Sequence, residues 1–133
     1  MTLNGFDALE LIVADAFEAL KNLLTQSRTF DVIILDPPAF IKKHKDKKEG
    51  VIAYQRINEM ALKLLNQNGI LISCSCSMHL SEEDLMNVVR RASLKTHAGL
   101  QLLERGFQAP DHPVHLAMSE TAYLKALFLR KTL

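Results

Sequence analysis

Two cysteines, Cys74 and Cys76, are all that the 133 residues contain. Standing one residue apart, they cannot join distant segments, so both read as reduced thiols and a disulfide-stapled scaffold is excluded. No apolar run approaches the roughly 18–20 residues that cross a bilayer. The opening Met1-Thr-Leu-Asn-Gly-Phe-Asp7 lacks the basic-then-apolar layout of a secretory leader, and the expected compartment is the cytoplasm. Charge of one sign is missing too. Sixteen basic residues against fifteen acidic leave a net +1, so the overall field does not mark a nucleic-acid binder. Cys74, Cys76, His79 and His112 lack the paired spacing of zinc ligands, and no metal is expected. Repeats and low-complexity tracts are absent. With 48% hydrophobic and 23% charged residues, the chain is neither disordered nor collagen-like, and its length fits one domain spanning 1–133.

What is present alternates between two periods. Leu9-Glu-Leu-Ile-Val13 reads as a short buried strand ending in Ala14-Asp15. Ala16, Leu20, Leu23 and Leu24 then recur at helical spacing, to an end near Gln26–Arg28. Phe30-Asp-Val-Ile-Ile-Leu35 reads as a parallel strand covered on both faces. Asp36-Pro37-Pro38 ends it, because two prolines cannot continue a ladder. The polar run Lys42–Glu49 reads as a mobile loop. Ile57, Ala61, Leu64 and Leu65 mark the next helix, and Gly69-Ile-Leu-Ile-Ser73 the next strand, running into Cys74-Ser-Cys76. Ser81 with Asp84 forms a capping box before a helix carrying Leu85, Val88, Val89 and Ala92. Arg90 and Arg91 fall on its exposed side. Gly99–Glu104 and Ala122–Leu129 are two final strands with no helix between them. The order β-α-β-α-β-α-β-β predicts an α/β fold, a parallel sheet finished at one edge by an antiparallel hairpin.

In open α/β sheets ligands bind outside the carboxyl ends of the strands. Three predicted strands end in Asp15, Asp36 and Cys76. Asp15 also suits a helix N-cap, and a cysteine at a strand end also suits packing. Asp36-Pro37-Pro38-Ala39-Phe40 presents a carboxylate and carbonyl oxygens with few competing donors, and its aromatic residue can cover a flat ring. Such a tip suits a planar heterocycle held by its amino edge; equally, it suits a strand terminator followed by a core Phe. If the strands ending at Asp36 and Cys76 are neighbours, about 4.8 Å apart, both side chains reach a single base. A thiolate adds to the electron-poor C6 of a pyrimidine, a carboxylic acid at N3 or the amino group aids the attack, and C5 becomes able to accept a methyl group. Cys74, two residues earlier, lies deeper on the same face and reads as the structural cysteine.

Phe30-Asp-Val-Ile-Ile-Leu-Asp-Pro-Pro-Ala-Phe40, Gly69-Ile-Leu-Ile-Ser-Cys-Ser-Cys-Ser77 and Gln108-Ala-Pro-Asp-His-Pro-Val114 resemble the large-subunit ribosomal RNA methyltransferases that form 5-methylcytosine from S-adenosylmethionine. The members in question carry an N-terminal PUA domain. The resemblance implies a Rossmann-like class I methyltransferase fold acting on RNA. By it, Asp15, Ala16 and Phe17 lie at the adenine end of the cofactor. Asp36 and Pro37 face the methyl donor and the base, Pro38, Phe40 and His112 border the substrate, and Cys76 is the nucleophile. Many RNA cytosine-5 enzymes have a second cysteine after the proline motif; here Ala39 stands there, as in the PUA-containing subgroup.

Class I methyltransferases hold the methionine part of the cofactor on a Gly-rich turn after their first strand. The five glycines here, at 5, 50, 69, 99 and 106, include no such pair. The chain therefore resembles the C-terminal half of the catalytic domain, with the third to seventh strands of the family and without the first two. Its fourth strand, Phe30–Leu35, is expected to leave an apolar edge. Strand Leu9–Val13 pairing directly with that edge, a dimer across it, or an N-terminal half would cover it. Two further readings stay open: a remnant or split-gene piece that folds without binding cofactor, and a methyltransferase acting on a purine amino group with Cys76 only structural. The run Lys42, Lys43, Lys45, Lys47 and Lys48 reads as a solvated loop before it reads as a phosphate contact.

Overall fold

Asp15 starts the regular structure. Its carboxylate accepts from the amides of Phe17 (2.9 Å) and Glu18 (3.2 Å), capping α1, Ala16–Thr25. The computed structural model describes Gly5 and residues 8–132. After α1 come β1 (Phe30–Leu35), α2 (Lys47–Leu64), β2 (Leu65–Ser75), α3 (Glu82–Thr96), β3 (Leu100–Gly106) and β4 (Lys125–Lys131), with single 3-10 turns at His44–Asp46 and Ser119–Thr121.

The four strands lie in the order β1-β2-β4-β3. β1 runs parallel to β2, with Ile33 opposite Leu71 and Leu35 opposite Ser73. The connection between them is the helical crossover that parallel neighbours require. β4 inserts between β2 and β3, antiparallel to both, after residues 107–124 bring the chain back across the sheet. The antiparallel finish expected from two successive strands is therefore present. The regular β1–β2 ladder starts at Ile70, because residues 66–69 bulge out of it, with Asn68 at φ 64°. Gly69 belongs in that bulge: an added Cβ would stand 2.9 Å from the Asn66 carbonyl oxygen and 3.0 Å from that of Asp31.

The helices cover one face. Leu35, Leu71, Leu127 and Leu129 are buried against Ile57 and Ala61 of α2 and Leu85, Val88 and Ala92 of α3. Each fully buried Leu contributes about 1.5–3 kcal/mol relative to exposure. α3 buries the same four residues that its sequence periodicity marks, and the Ser81–Asp84 capping box is formed. Arg90 and Arg91 are exposed.

Three expectations are corrected. Residues 8–14 form no strand and Leu9–Val13 joins no sheet among the described residues, though Glu10 is ion-paired with Arg28 at 2.6 Å; Val13 is 89% exposed. An apolar run becomes a strand only where a neighbour offers hydrogen bonds, and the edge of β1 stays unpaired among the described residues. Second, β1 is not covered on both faces: Val32 and Ile34 are 55% and 63% exposed. Third, Lys42–Glu49 is not a loop throughout. Lys47 begins α2, and its ammonium is 2.8 Å from the Asp84 carboxylate, which ties this end to α3.

Candidate functional site

The carboxyl end of β1 opens into a cleft of about 590 Å³. Its size falls within the range of small-molecule sites. Asp36, Pro37 and Pro38 enter it from the end of β1, and Asp15, Ala16 and Phe17 from the start of α1. Ile12, Ala14, Leu20 and Ile34 give apolar walls, and Phe40 and Ile57 close the helical side. Seven residues singled out in the sequence (Asp15, Ala16, Phe17, Asp36, Pro37, Pro38 and Phe40) therefore meet in one place.

An aromatic array supports that wall. The rings of Phe17 and Phe40 stack at 6.2 Å, and Phe40 meets Tyr54 at 4.8 Å. The Arg56 guanidinium lies over the other ring, 5.2 Å from the Phe17 centroid. α2 thus supports the cleft through Tyr54 and Arg56, neither of which sequence reasoning selected. The signal for Tyr54 was available: Gly50, Tyr54, Ile57, Ala61 and Leu64 form one buried stripe.

The cysteines occupy different environments. Cys74, next along β2 from the Leu35–Ser73 pair, is where Asp36 acts: burial first, and then the Asp36 charge, push its thiol up from the ordinary value. Cys76 lies just beyond β2, half-buried, and does not line the cleft. Beside it, Lys125 of β4 is opposite Ser75, and its ammonium donates to the Ser77 carbonyl at 2.6 Å. Burial pulls the Lys125 pKa down, and the charge of Cys76 opposes that shift. His112 is not brought to the cleft. It is exposed in the 107–124 segment, its Nδ1 3.2 Å from an Asp111 carboxylate oxygen. Among the described residues no group of three or more His, Cys, Asp or Glu could hold a metal, and no helix is long and apolar enough to cross a membrane.

These residues fit one end of a nucleoside cofactor: an apolar slot for a ring, bordered by two carboxylates. No glycine stands among the lining residues to cradle the rest.

A mixed α/β sheet in this strand order, with its cleft at the carboxyl end of β1, is a partial Rossmann-like methyltransferase fold. Two solved structures match it at a TM-score of 0.73. One is a Streptococcus mutans protein described as S-adenosylmethionine-dependent methyltransferase, 23% identical, with 91% of this chain covering 30% of that one. The other, described as a methyltransferase complexed with SAH, is 22% identical over 90% of this chain and 31% of its own. No family model matches the sequence. Among curated proteins, the chain is 38% identical over 132 residues to ribosomal RNA large subunit methyltransferase I of Shewanella denitrificans. It is 35% identical over 122 residues to a Methanocaldococcus jannaschii protein assigned as a ribosomal RNA large subunit methyltransferase. It spans 33% and 31% of their lengths, about a third of each.

Proposed function

We propose that this chain is the carboxyl-terminal part of an S-adenosylmethionine-dependent RNA methyltransferase domain, acting on C5 of a cytosine in large-subunit ribosomal RNA. The observation that carries the reading is the meeting of Asp15, Phe17, Asp36, Pro37 and Phe40 in one cleft at the carboxyl end of β1. The names of the Shewanella and Methanocaldococcus relatives supply the RNA substrate class. In longer relatives, on this reading, a PUA domain and the Gly-rich half precede the matched part.

The roles are those that the family resemblance implies, and the chemistry of Asp36 and Cys76 suits theirs. Asp15, Ala16 and Phe17 border the adenine of the cofactor, which supplies the methyl group when bound. Asp36 holds the base at N3 and its amino group, with Pro37 beside it and Pro38 and Phe40 against the ring. The Cys76 thiolate forms a bond to C6, and C5 takes the methyl group. Loss of the C5 proton and cleavage of the C6–S bond then return the thiolate and the aromatic ring. His112 contacts RNA at the rim, if the 107–124 segment closes over the base.

The unpaired edge of β1 and the exposed Val32–Ile34 face suit the polypeptide that carries the first two strands of the fold. Sedimentation of the chain with and without that polypeptide tests this. A stable heterodimer supports it, whereas a tight dimer of this chain alone assigns the edge to a second copy.

Trapping with RNA containing 5-fluorocytosine, in the presence of S-adenosylmethionine, tests the reaction. A covalent adduct lost in Cys76→Ala and kept in Cys74→Ala supports it. An adduct that survives Cys76→Ala removes Cys76 as nucleophile. Calorimetric titration distinguishes the remaining alternative: no cofactor binding, alone or with the N-terminal half, makes the chain a non-catalytic remnant.

A further inference from the structure

Cys76 lies between two serines that share one phenol. Tyr54 is completely buried, and its hydroxyl accepts from Ser75 Oγ at 2.9 Å and lies 2.9 Å from Ser77 Oγ. The Ser77 amide closes the loop by donating to Ser75 Oγ at 3.2 Å. Ser77 Oγ also accepts from the amide of Ile41 at 3.3 Å, which joins the cysteine turn to the end of the Asp36–Phe40 loop. A core whose only task was packing would place apolar side chains here, since each buried hydroxyl costs free energy unless it is hydrogen-bonded. On the opposite side the Lys125 ammonium is anchored to the Ser77 carbonyl.

We infer that Lys125 and the Tyr54–Ser75–Ser77 hydrogen-bond chain are positioning residues for Cys76, holding its thiolate beside a fixed cation and in constant register with the Asp36-Pro37-Pro38 turn. Lys125 is partly stripped of water, and an ammonium in such a place attracts a neighbouring thiolate more strongly than one in bulk solvent. The hydroxyl chain is continuous: Ser75 donates to Tyr54, and Tyr54 and Ser77 share a hydrogen bond in which either hydroxyl can donate. The charged or titratable groups around the turn are Lys125 from β4, Cys74 from β2, Asp36 from the end of β1 and Tyr54 from α2.

This inference rests on Cys76 being the nucleophile, but its test needs neither cofactor nor RNA, so an error in the reaction and an error in the brace fail differently. In the full chain carrying Cys74→Ser, the rate of Cys76 alkylation by iodoacetamide is measured at neutral pH, with circular dichroism as the check on folding. Lys125→Met is expected to slow alkylation about five- to tenfold, because the thiolate loses its cation, and Lys125→Arg to restore it to within about twofold. Tyr54→Phe, which keeps the ring and removes the hydroxyl, is expected to slow it about threefold. If Lys125→Met does not fold, Lys125→Gln keeps a donor for the Ser77 carbonyl without the charge and is read in its place. Unchanged rates in the folded Lys125 variants, or equal slowing in Lys125→Arg and Lys125→Met, overturn the role of Lys125. An unchanged rate in Tyr54→Phe overturns the role of the hydroxyl chain.

Discussion

The Nζ of Lys131, in the last strand, lies 2.9 Å from the carbonyl oxygen of Leu62, in the last turn of α2. It also donates to the Leu65 carbonyl at 2.7 Å. A side chain near the end of the sequence thus caps a helix that closes almost seventy residues earlier, and its positive charge suits the negative end of the helix dipole.

Lys131→Met should therefore destabilise the fold by about 1.5–3 kcal/mol, the range for a hydrogen bond to a charged group. Burial lowers the Lys131 pKa, which sets part of the gain against desolvation. Urea unfolding measures the loss, and an unchanged midpoint would show that water replaces the cap at no cost.

Gly50 is buried within α2, and a Cβ there would stand 2.2 Å from Ile41 Cγ1. Helix propensity alone would make alanine better by about 1 kcal/mol. Overpacking against the buried Ile41 costs about 1–3 kcal/mol, so Gly50→Ala should be destabilising by about 1 kcal/mol net. Thermal unfolding checks the sign; a higher midpoint would mean that the Phe40–Ile41 loop moves aside freely.

Ser73 has the opposite balance. Its hydroxyl is buried on the helix side of β2 without a hydrogen-bond partner. Ser73→Ala removes an unsatisfied polar group and should stabilise by about 1 kcal/mol. Calorimetric unfolding reads this directly, and a lowered midpoint would contradict it.

The Asp84 carboxyl is held below its ordinary value, chiefly by the hydrogen bond from Lys47; burial opposes this, and the hydrogen bonds from Ser81 and the Lys47 charge add to the lowering. A depressed carboxylate pKa adds stability above the unfolded value, and this is lost as pH falls through the folded one. Asp84→Asn should be less stable than the parent at neutral pH, and the gap should close below about pH 4. Melting temperatures across that range test it; a gap independent of pH would assign the effect to the cap rather than the charge.

The parts of the fold with local signatures were legible. Phe30–Leu35 and Ile70–Ser73 are β-branched and apolar, and Ser81-x-x-Asp84 announces α3. The start of α2 was hidden because its first turn, Lys47-Lys-Glu-Gly50, is charged and ends in glycine, a composition that looks like a loop until Asp84 is seen opposite Lys47. Leu9–Val13 misled for another reason: hydrophobicity reports a wish for burial, not the presence of a partner. Asp36 could be chosen because strand ends are where such folds bind. Ala16 and Phe17 were reached through the family resemblance, and Asp15 through a predicted strand that does not form. Lys125 could not, because its partner Ser77 lies 48 positions away. Tyr54, visible only as part of a buried stripe, could not be tied to Ser75 and Ser77, 21 and 23 positions away.

The edge of β1 that is unpaired among the described residues ends at the same place as the cleft. Any strand that adds to it in parallel must bring its own carboxyl end to Asp36 and Pro37, so completing the sheet and walling the cleft become a single event. The two equilibria are then linked. A ligand that prefers the completed cleft must tighten the association of the pieces by the factor by which association tightens the ligand. The affinity of this chain for a small molecule would not be a fixed constant but a quantity set by the concentration of whatever supplies the next strand.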